Sequence, residues 1–338
     1  MRKKIWLPAL LLIILAVVYR LTSFTPELVS FSGPTMGTTY TVKFYTTEEI
    51  ENPWGIKSDV DDVLLSVNKH MSTYDPSSEL SNLNKLPANS VQDISSGLAY
   101  VIDKALLISQ MSGGEYDVTV GPLVNLWGFG PGKREDKVPT DAEIQQAKAR
   151  IGYQSIQLEN NQLSKQKNVY IDLSSIAKGY GIDKVAEALE NHGIESYLVE
   201  VGGEIRSKGF KPEGESWQVA IESPAGGHTI AKKIIAADDI AIATSGDYRN
   251  YFEKNGVRYS HTINPITGRP VTHRLVSVTV IDKTATMADG LATAITVLGP
   301  EKGLTFAQEN GVAAYLLVKT DFGYDERSSD AFQHYLND

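Results

Sequence analysis

Three short stretches carry side chains whose types and spacing could do chemistry. Asp172-Leu-Ser-Ser-Ile-Ala-Lys-Gly179 follows the compact apolar run Val169 to Leu173 and leads into an amphipathic segment. It reads as the end of a strand and the opening of a helix. There, free backbone N–H groups and the positive end of the dipole face whatever lies above the sheet. Ser174 or Ser175 can simply cap that helix. Lys178 stands one turn in, where the dipole disfavours a cation, and its placement makes sense if an anion sits there. The second stretch is Ala288-Asp-Gly-Leu-Ala-Thr293. Asp289 and Thr293 are four apart on a helix and share one face. A carboxylate and a hydroxyl so placed can hold a hard cation such as Mg2+, which brings phosphate and water as its other ligands. The plainer alternative is an acid favoured in a first helical turn by the dipole. The third stretch, Ser260-His-Thr-Ile-Asn-Pro-Ile-Thr-Gly268, is a loop with one of six histidines beside a proline and a turn glycine. A lone loop histidine can equally be structural, and Thr244-Ser-Gly-Asp-Tyr-Arg249 is a loop with no distinct signal.

Two more familiar patterns are missing. Trp127-Gly-Phe-Gly-Pro-Gly-Lys133 has the glycines of a phosphate loop but neither its spacing nor a Ser or Thr after the lysine, where Arg134 stands. It reads as a turn. No G-x-G-x-x-G follows a strand, so a dinucleotide-binding Rossmann site is unsupported.

The elements that must position these stretches alternate between two periods. A strand is expected over Thr38 to Tyr45, and others at Val169 to Leu173, Tyr197 to Val201, Trp217 to Glu222, Ile240 to Thr244, Val276 to Ile281 and Ala313 to Val318. Helices are expected over Lys57 to His70 (Val60, Val63, Leu64 and Val67 on one face) and Leu98 to Met111. Another follows Gly179, with Ile182, Val185, Ala186 and Leu189 as its stripe, and a last one runs from Met287 to Leu298, burying Met287, Leu291, Ile295 and Leu298. Thr140 to Glu143 is a capping box that opens a short helix through Ile144 and Ala147. Several strands arrive in pairs without an intervening helix, which argues for α+β rather than a doubly wound parallel sheet.

The 338 residues, 42% hydrophobic and 22% charged, have ordinary globular composition, so disorder, collagen and coiled coil are excluded. Net charge is −9, and outside the first twenty positions 28 basic residues face 41 acidic ones. A body that acidic offers no basic surface to displace phosphate counterions, which argues against nucleic acid. The absence of cysteine rules out disulfides, thiolate zinc sites and a cysteine nucleophile. Met1-Arg-Lys-Lys4 precedes fifteen uncharged, mostly apolar residues, Ile5 to Tyr19, about 22 Å of helix. With no small-residue cleavage pair after it and no cysteine for a lipid, residues 1–24 are expected to be an uncleaved signal anchor. The basic end would lie in the cytoplasm and the body, residues 25–338, on the periplasmic face of a bacterial inner membrane.

In order and spacing the chain resembles the ApbE-type flavin transferases, the FAD:protein FMN transferases. The matching blocks are Thr35-Met-Gly-Thr-Thr-Tyr40, Met71 to Asn84, Gly114-Glu-Tyr-Asp-Val-Thr-Val-Gly-Pro-Leu123, Trp127-Gly-Phe-Gly130 and Asp172 to Gly179. Val201-Gly-Gly-Glu-Ile205, Thr244-Ser-Gly246, His261 to Gly268 and Ala288 to Thr293 complete the set. Two departures stand out: the lipid-anchor cysteine often found near the family's N-terminus is missing, and Asn264 stands where the histidine loop commonly has Asp. The resemblance implies an α+β fold with mixed or antiparallel sheets packed with helices, of ApbE type and T-fold-like, preceded by the anchor helix.

It also implies a chemistry: the diphosphate of FAD is split, the FMN half is joined through a phosphoester to a Thr or Ser hydroxyl of a partner protein, and AMP leaves. By the same resemblance Ser175, Asp289 and Thr293 form a Mg2+ site, and Lys178 faces the cofactor phosphates. Met36, Tyr74, Glu115, Tyr116, Asp117, Asp172 and Ile263 match FAD-contacting positions. Tyr74 and Tyr116 offer aromatic faces, and Asp117 and Asp172 offer acceptors for sugar or adenine donors. His261 is the candidate for taking the proton of the acceptor hydroxyl, a role that suits an imidazole. The implied acceptors are membrane flavoproteins such as subunits of sodium-pumping NADH:quinone reductase or Rnf-type complexes. An FAD pyrophosphatase would use the same metal and phosphate site with water in place of the hydroxyl. A non-catalytic flavin-binding protein would have no need of Asp289 and Thr293.

Overall fold

A computed structural model describes residues 25–47, 50, 52–132, 138–225, 228–246, 251–254 and 256–336. The anchor expected over residues 1–24 lies outside them, as do Lys133, Arg134 and residues 247–249 of the loops considered above. Among the described residues no helix is long and apolar enough to cross a membrane.

The strands are β1 (Leu28–Thr35), β2 (Thr38–Tyr45), β3 (Val91–Asp93), β4 (Ile156–Glu159), β5 (Gln162–Lys165), β6 (Tyr197–Val201), β7 (Glu204–Lys208), β8 (Trp217–Ala225) and β9 (His228–Ala237). They continue as β10 (Ile240–Gly246), β11 (Tyr251–Lys254), β12 (Val257–Ser260), β13 (Ile263–Asn264), β14 (Arg269–Pro270), β15 (Leu275–Asp282), β16 (Ala313–Thr320) and β17 (Gly323–Ser328). The helices are α1 (Pro53–Met71), α2 (Glu79–Lys85), α3 (Ser96–Met111), α4 (Gly121–Leu126), α5 (Asp141–Lys148), α6 (Ala177–Asn191), α7 (Ala285–Leu298), α8 (Pro300–Glu309) and α9 (Asp330–Gln333).

Eight strands form the main sheet in the order β1-β2-β6-β7-β10-β15-β16-β17, every neighbouring pair antiparallel. Chain order and sheet order coincide, and the helices are long insertions between neighbouring strands. The α+β expectation therefore holds, with an antiparallel sheet. Its period-2 alternation serves two covered faces. Val278 and Val280 of β15 and Ala314, Leu316 and Val318 of β16 face the core shared with α1, α3, α6 and α7. Ile281, Ala313, Tyr315 and Leu317 face the other way, onto Trp217, Val219, Ile221 and Ile235 of the β8–β9 hairpin and Phe332. A third cluster, built on Leu123, Trp127, Ile144, Phe252 and Ile263, lies under the histidine loop.

Helix starts follow local chemistry. Asn52 caps α1 with Pro53 in its first turn, and Thr140 and Glu143 make the expected capping box of α5. Val169 to Leu173, expected as a strand, forms only the parallel bridge Val120–Tyr170. Its backbone groups are taken elsewhere: both peptide groups of Ile171 bond the Asn84 side-chain amide at 2.8 Å, and Asp172 N–H donates to Val118 C=O at 2.7 Å. Once those groups are satisfied, no ladder is needed to keep the run buried.

Candidate active site

The first and second stretches meet where α6 and α7 cross. Their backbones are so close that a Cβ on Gly179 would lie 2.1 Å from the Ala285 carbonyl oxygen. Each helix caps the other. Asp289 Oδ2 of α7 accepts the Gly179 N–H at 3.0 Å, inside the first turn of α6. Asp183 of α6 accepts the N–H groups of Ala285 and Thr286, both at 2.9 Å, at the start of α7. Neither serine caps α6, because a carboxylate from the other helix does so: Ser174 bonds Asp172 Oδ1, and Ser175 Oγ meets the Tyr116 hydroxyl at 2.8 Å. Asp289 is thus buried, 5% exposed, on a helix buried on nearly all sides, so burial is not confined to the expected stripe of Met287, Leu291, Ile295 and Leu298. Small residues at Ala285, Ala288, Gly290 and Ala292 let neighbours pack all round. Thr293 is half-buried one turn further along α7.

Lys178 faces anions, and here they are carboxylates. Its ammonium pairs with Glu204 and lies 3.5 Å from Asp289 Oδ1. Burial works against its charge, but the Asp289 and Glu204 carboxylates outweigh that and hold its pKa above the usual lysine range. Glu204 begins β7 just after the Gly202–Gly203 turn, whose φ values of 60° and 102° put both residues in the left-handed region that a tight hairpin demands. Burial, opposed by Lys178 and reinforced by Asp289, pushes the Glu204 carboxyl up to about 7. Sequence reasoning assigned Glu204 no role, although an acid directly after a glycine pair in a matching block was the available signal. Two residues on, Arg206 pairs with Asp183 at 2.7 Å, so one face of β7 reaches both the Lys178 ammonium and the Asp183 capping carboxylate.

Beside this crossing stands the tip of the β1–β2 hairpin. Met36 takes a positive φ of 47°, and its Cε would lie 2.7 Å from a Cβ on Gly181 of α6. Such a conformation is uncommon outside glycine. Tyr74 is 64% exposed, its hydroxyl donates to the Phe129 carbonyl at 3.3 Å, and burial together with the Asp172 charge raises its pKa. It can present a ring face. Tyr116 cannot, being buried at 3% exposure with only its hydroxyl reaching Ser175. Asp117 is likewise committed: Oδ1 takes the Thr119 N–H and hydroxyl, and Oδ2 takes the Tyr153 N–H at 3.0 Å. It builds a turn, so its oxygens are not open acceptors. Ile263 packs its side chain into the third cluster. Glu115 accepts from Asn264 and from Lys302. His261 meets the Phe129 ring edge-on, with centroids 6.4 Å apart, above the stacked Trp127, Tyr259 and Phe252.

The oxygen donors here suit a hard cation. No group of three or more His, Cys, Asp or Glu side chains that could hold a metal stands together among the described residues. A metal that completes its shell with hydroxyl, carbonyl, phosphate and water oxygens needs no such group. The buried cluster sets two carboxylates against one ammonium, and Glu204 Oε2 is buried without a hydrogen-bond partner. That excess of negative charge is what a bound cation would offset.

The ApbE family profile matches residues 36–316. The FAD:protein FMN transferase of Vibrio cholerae is 47% identical over 312 residues, covering 92% of this chain and 93% of that protein. The protein of the same name from Haemophilus influenzae is 45% identical over 315 residues, covering 91% of each. The solved structure of the flavin transferase ApbE from Vibrio cholerae superposes with a TM-score of 0.87 at 46% identity, covering 92% of this chain and all of that one. The family match from Met36 to Leu316, the sequence identity and the shared fold together show that the chain belongs to the ApbE family.

Proposed function

We propose that this protein is an FAD:protein FMN transferase, which splits the diphosphate of FAD and joins the FMN half to a Thr or Ser hydroxyl of a partner protein. The observation that carries the reading is the bond from Gly179 N–H to Asp289 Oδ2, which brings the anion-facing helix start and the carboxylate–hydroxyl pair to one buried point. The chain's membership of a family whose curated relatives bear that name supports it.

Such a transfer gathers negative charge on phosphoryl oxygens, so catalysis is mainly positioning and electrostatic stabilisation. Asp289, Thr293 and the Ser175 region would hold a Mg2+ ion, which when bound supplies positive charge to the diphosphate. Lys178, kept charged by its two carboxylates, adds a fixed cation at the same point. Tyr74 offers its exposed ring to the isoalloxazine, and Asp172 lies beside it. His261 takes the proton from the acceptor hydroxyl as its oxygen attacks the FMN-side phosphorus. The bond to the bridging oxygen breaks, and AMP leaves with that oxygen. The expected anchor at residues 1–24 would place the body at the periplasmic face of the inner membrane. Acceptors there would be flavoprotein subunits of the sodium-pumping NADH:quinone reductase or Rnf type.

The test incubates the purified protein with FAD, Mg2+ and such an acceptor domain. Intact-mass spectrometry of the acceptor is read beside chromatography of the nucleotides. An acceptor heavier by one FMN unit with AMP released, both lost on chelation, is the expected result. Free FMN and AMP with unmodified acceptor would replace the transferase by a hydrolase.

A further inference from the structure

Asn264 stands where the histidine loop of this family commonly carries an acid, and its surroundings require an amide. Its Oδ1 accepts two backbone N–H groups, those of Ile266 and Thr267, both at 2.9 Å. Backbone N–H groups only donate, so the atom facing them must be oxygen, and the other atom must be the NH2. That NH2 donates to Glu115 Oε2 at 2.7 Å. The second Glu115 oxygen is 3.2 Å from Lys302 Nζ of α8. Glu115 directly precedes Tyr116, whose hydroxyl touches Ser175. A single side chain therefore closes the turn of the loop that carries His261 and fastens that loop to the segment touching the start of α6. An Asp at 264 would keep the turn but bring two carboxylates to hydrogen-bond distance.

We infer that Asn264 is a positioning residue whose amide, clamped on the Glu115 carboxylate, sets His261 against the phosphate-facing helix start. The inference rests on the proposed transfer reaction for its kinetic consequence. It rests on geometry alone for the clamp. The bond has a direction, donor on the loop and acceptor at 115, so it can be inverted: Asn264→Asp with Glu115→Gln puts the donor on the other side. Asn264→Asp alone opposes two acceptors. Glu115→Gln alone keeps an acceptor toward the Asn264 amide, and gives up the charge that pairs with the exposed Lys302 and that the family resemblance sets toward FAD.

The experiment is a double-mutant cycle on the full chain, reading Tm and, at a temperature well below every Tm, kcat and KM for FAD. Asn264→Asp is expected to lower Tm and to reduce kcat on the order of 10- to 100-fold, the loss that misplacing a catalytic group brings. The double variant should recover most of both, even where loss of the Glu115 charge raises KM. If Asn264→Asp does not fold, recovery of a folded, active double variant supports the clamp, and failure of the double variant overturns it. Wild-type kcat in Asn264→Asp, or a double variant no better than Asn264→Asp, also overturns it. Failure of the transfer reading would show separately, as no FMN transfer by the wild type. Coupling in Tm between 115 and 264 would then still decide whether the clamp exists.

Discussion

Removing the Asp289 side chain should do two separable things. Its Oδ2 holds the Gly179 N–H at 3.0 Å, and both residues are buried. Asp289→Ala leaves that donor without a partner, which costs about 1–3 kcal/mol, and Lys178 keeps Glu204, so no bare cation adds to the loss. Taking about 2 kcal/mol and about 1.5 °C per kcal/mol for a body of this size, Tm should fall by roughly 3 °C in chelator. Asp289→Asn keeps an oxygen for Gly179 and removes the charge. Its Tm in chelator should stay within about 1 °C of wild type. Both variants should lose Mg2+-dependent FMN transfer, and both should lose the rise in Tm that Mg2+ is expected to give the wild type by binding the folded state. Calorimetry with and without Mg2+, beside the acceptor mass assay, reads all three quantities. An unchanged Tm for Asp289→Ala in chelator would refute the cap. Full Mg2+-dependent turnover by Asp289→Asn would refute the charge assignment.

Glu204 gives a pH dependence with a definite sign. Its carboxyl is pushed up to about 7 from an ordinary 4.5, so between those values the folded protein holds a proton that the unfolded chain has released. Stability of the metal-free protein should therefore fall as pH rises across that window, and Glu204→Gln should flatten the slope in denaturant titrations at pH 5, 6 and 7. A slope unchanged in that variant would move the titration to another group. Gly179→Ala places a methyl 2.1 Å from a backbone oxygen, with no flexible side chain to yield. It should cost about 3 kcal/mol or more by thermal melting. Tyr74→Ala should leave Tm unchanged, because the ring is 64% exposed. It should weaken FAD binding by about 1 kcal/mol, near fivefold, in a fluorescence titration, and equal affinity would place the ring site elsewhere.

Much of the scaffold was legible because it is periodic. Ile182, Val185, Ala186 and Leu189 are all fully buried on α6, and Tyr197 to Val201 and Thr38 to Tyr45 form strands with the bounds their alternation implied. Thr140 and Glu143 announce their helix by a capping box that needs only local atoms. Where partners lie far along the chain, the sequence was silent. Asn84 takes the backbone bonds of Ile171, eighty-seven positions away, and so removes an expected strand. By residue type Tyr116 and Asp117 look open to a ligand, yet their neighbours Ser175, Thr119 and Tyr153 occupy them.

The residue types, their order and the two helix starts were determined by the sequence itself, because dipoles, caps and hydrophobic stripes act over a few residues. Tertiary structure decided that Asp289 and Gly179 share a hydrogen bond, that Lys178 is balanced by a glutamate given no role beforehand, and that the Asn264 amide bonds Glu115. Each of those facts depends on which buried donor faces which acceptor. A charge or an N–H group out of water is satisfied by whatever the fold brings beside it, and that neighbour can lie anywhere along the chain.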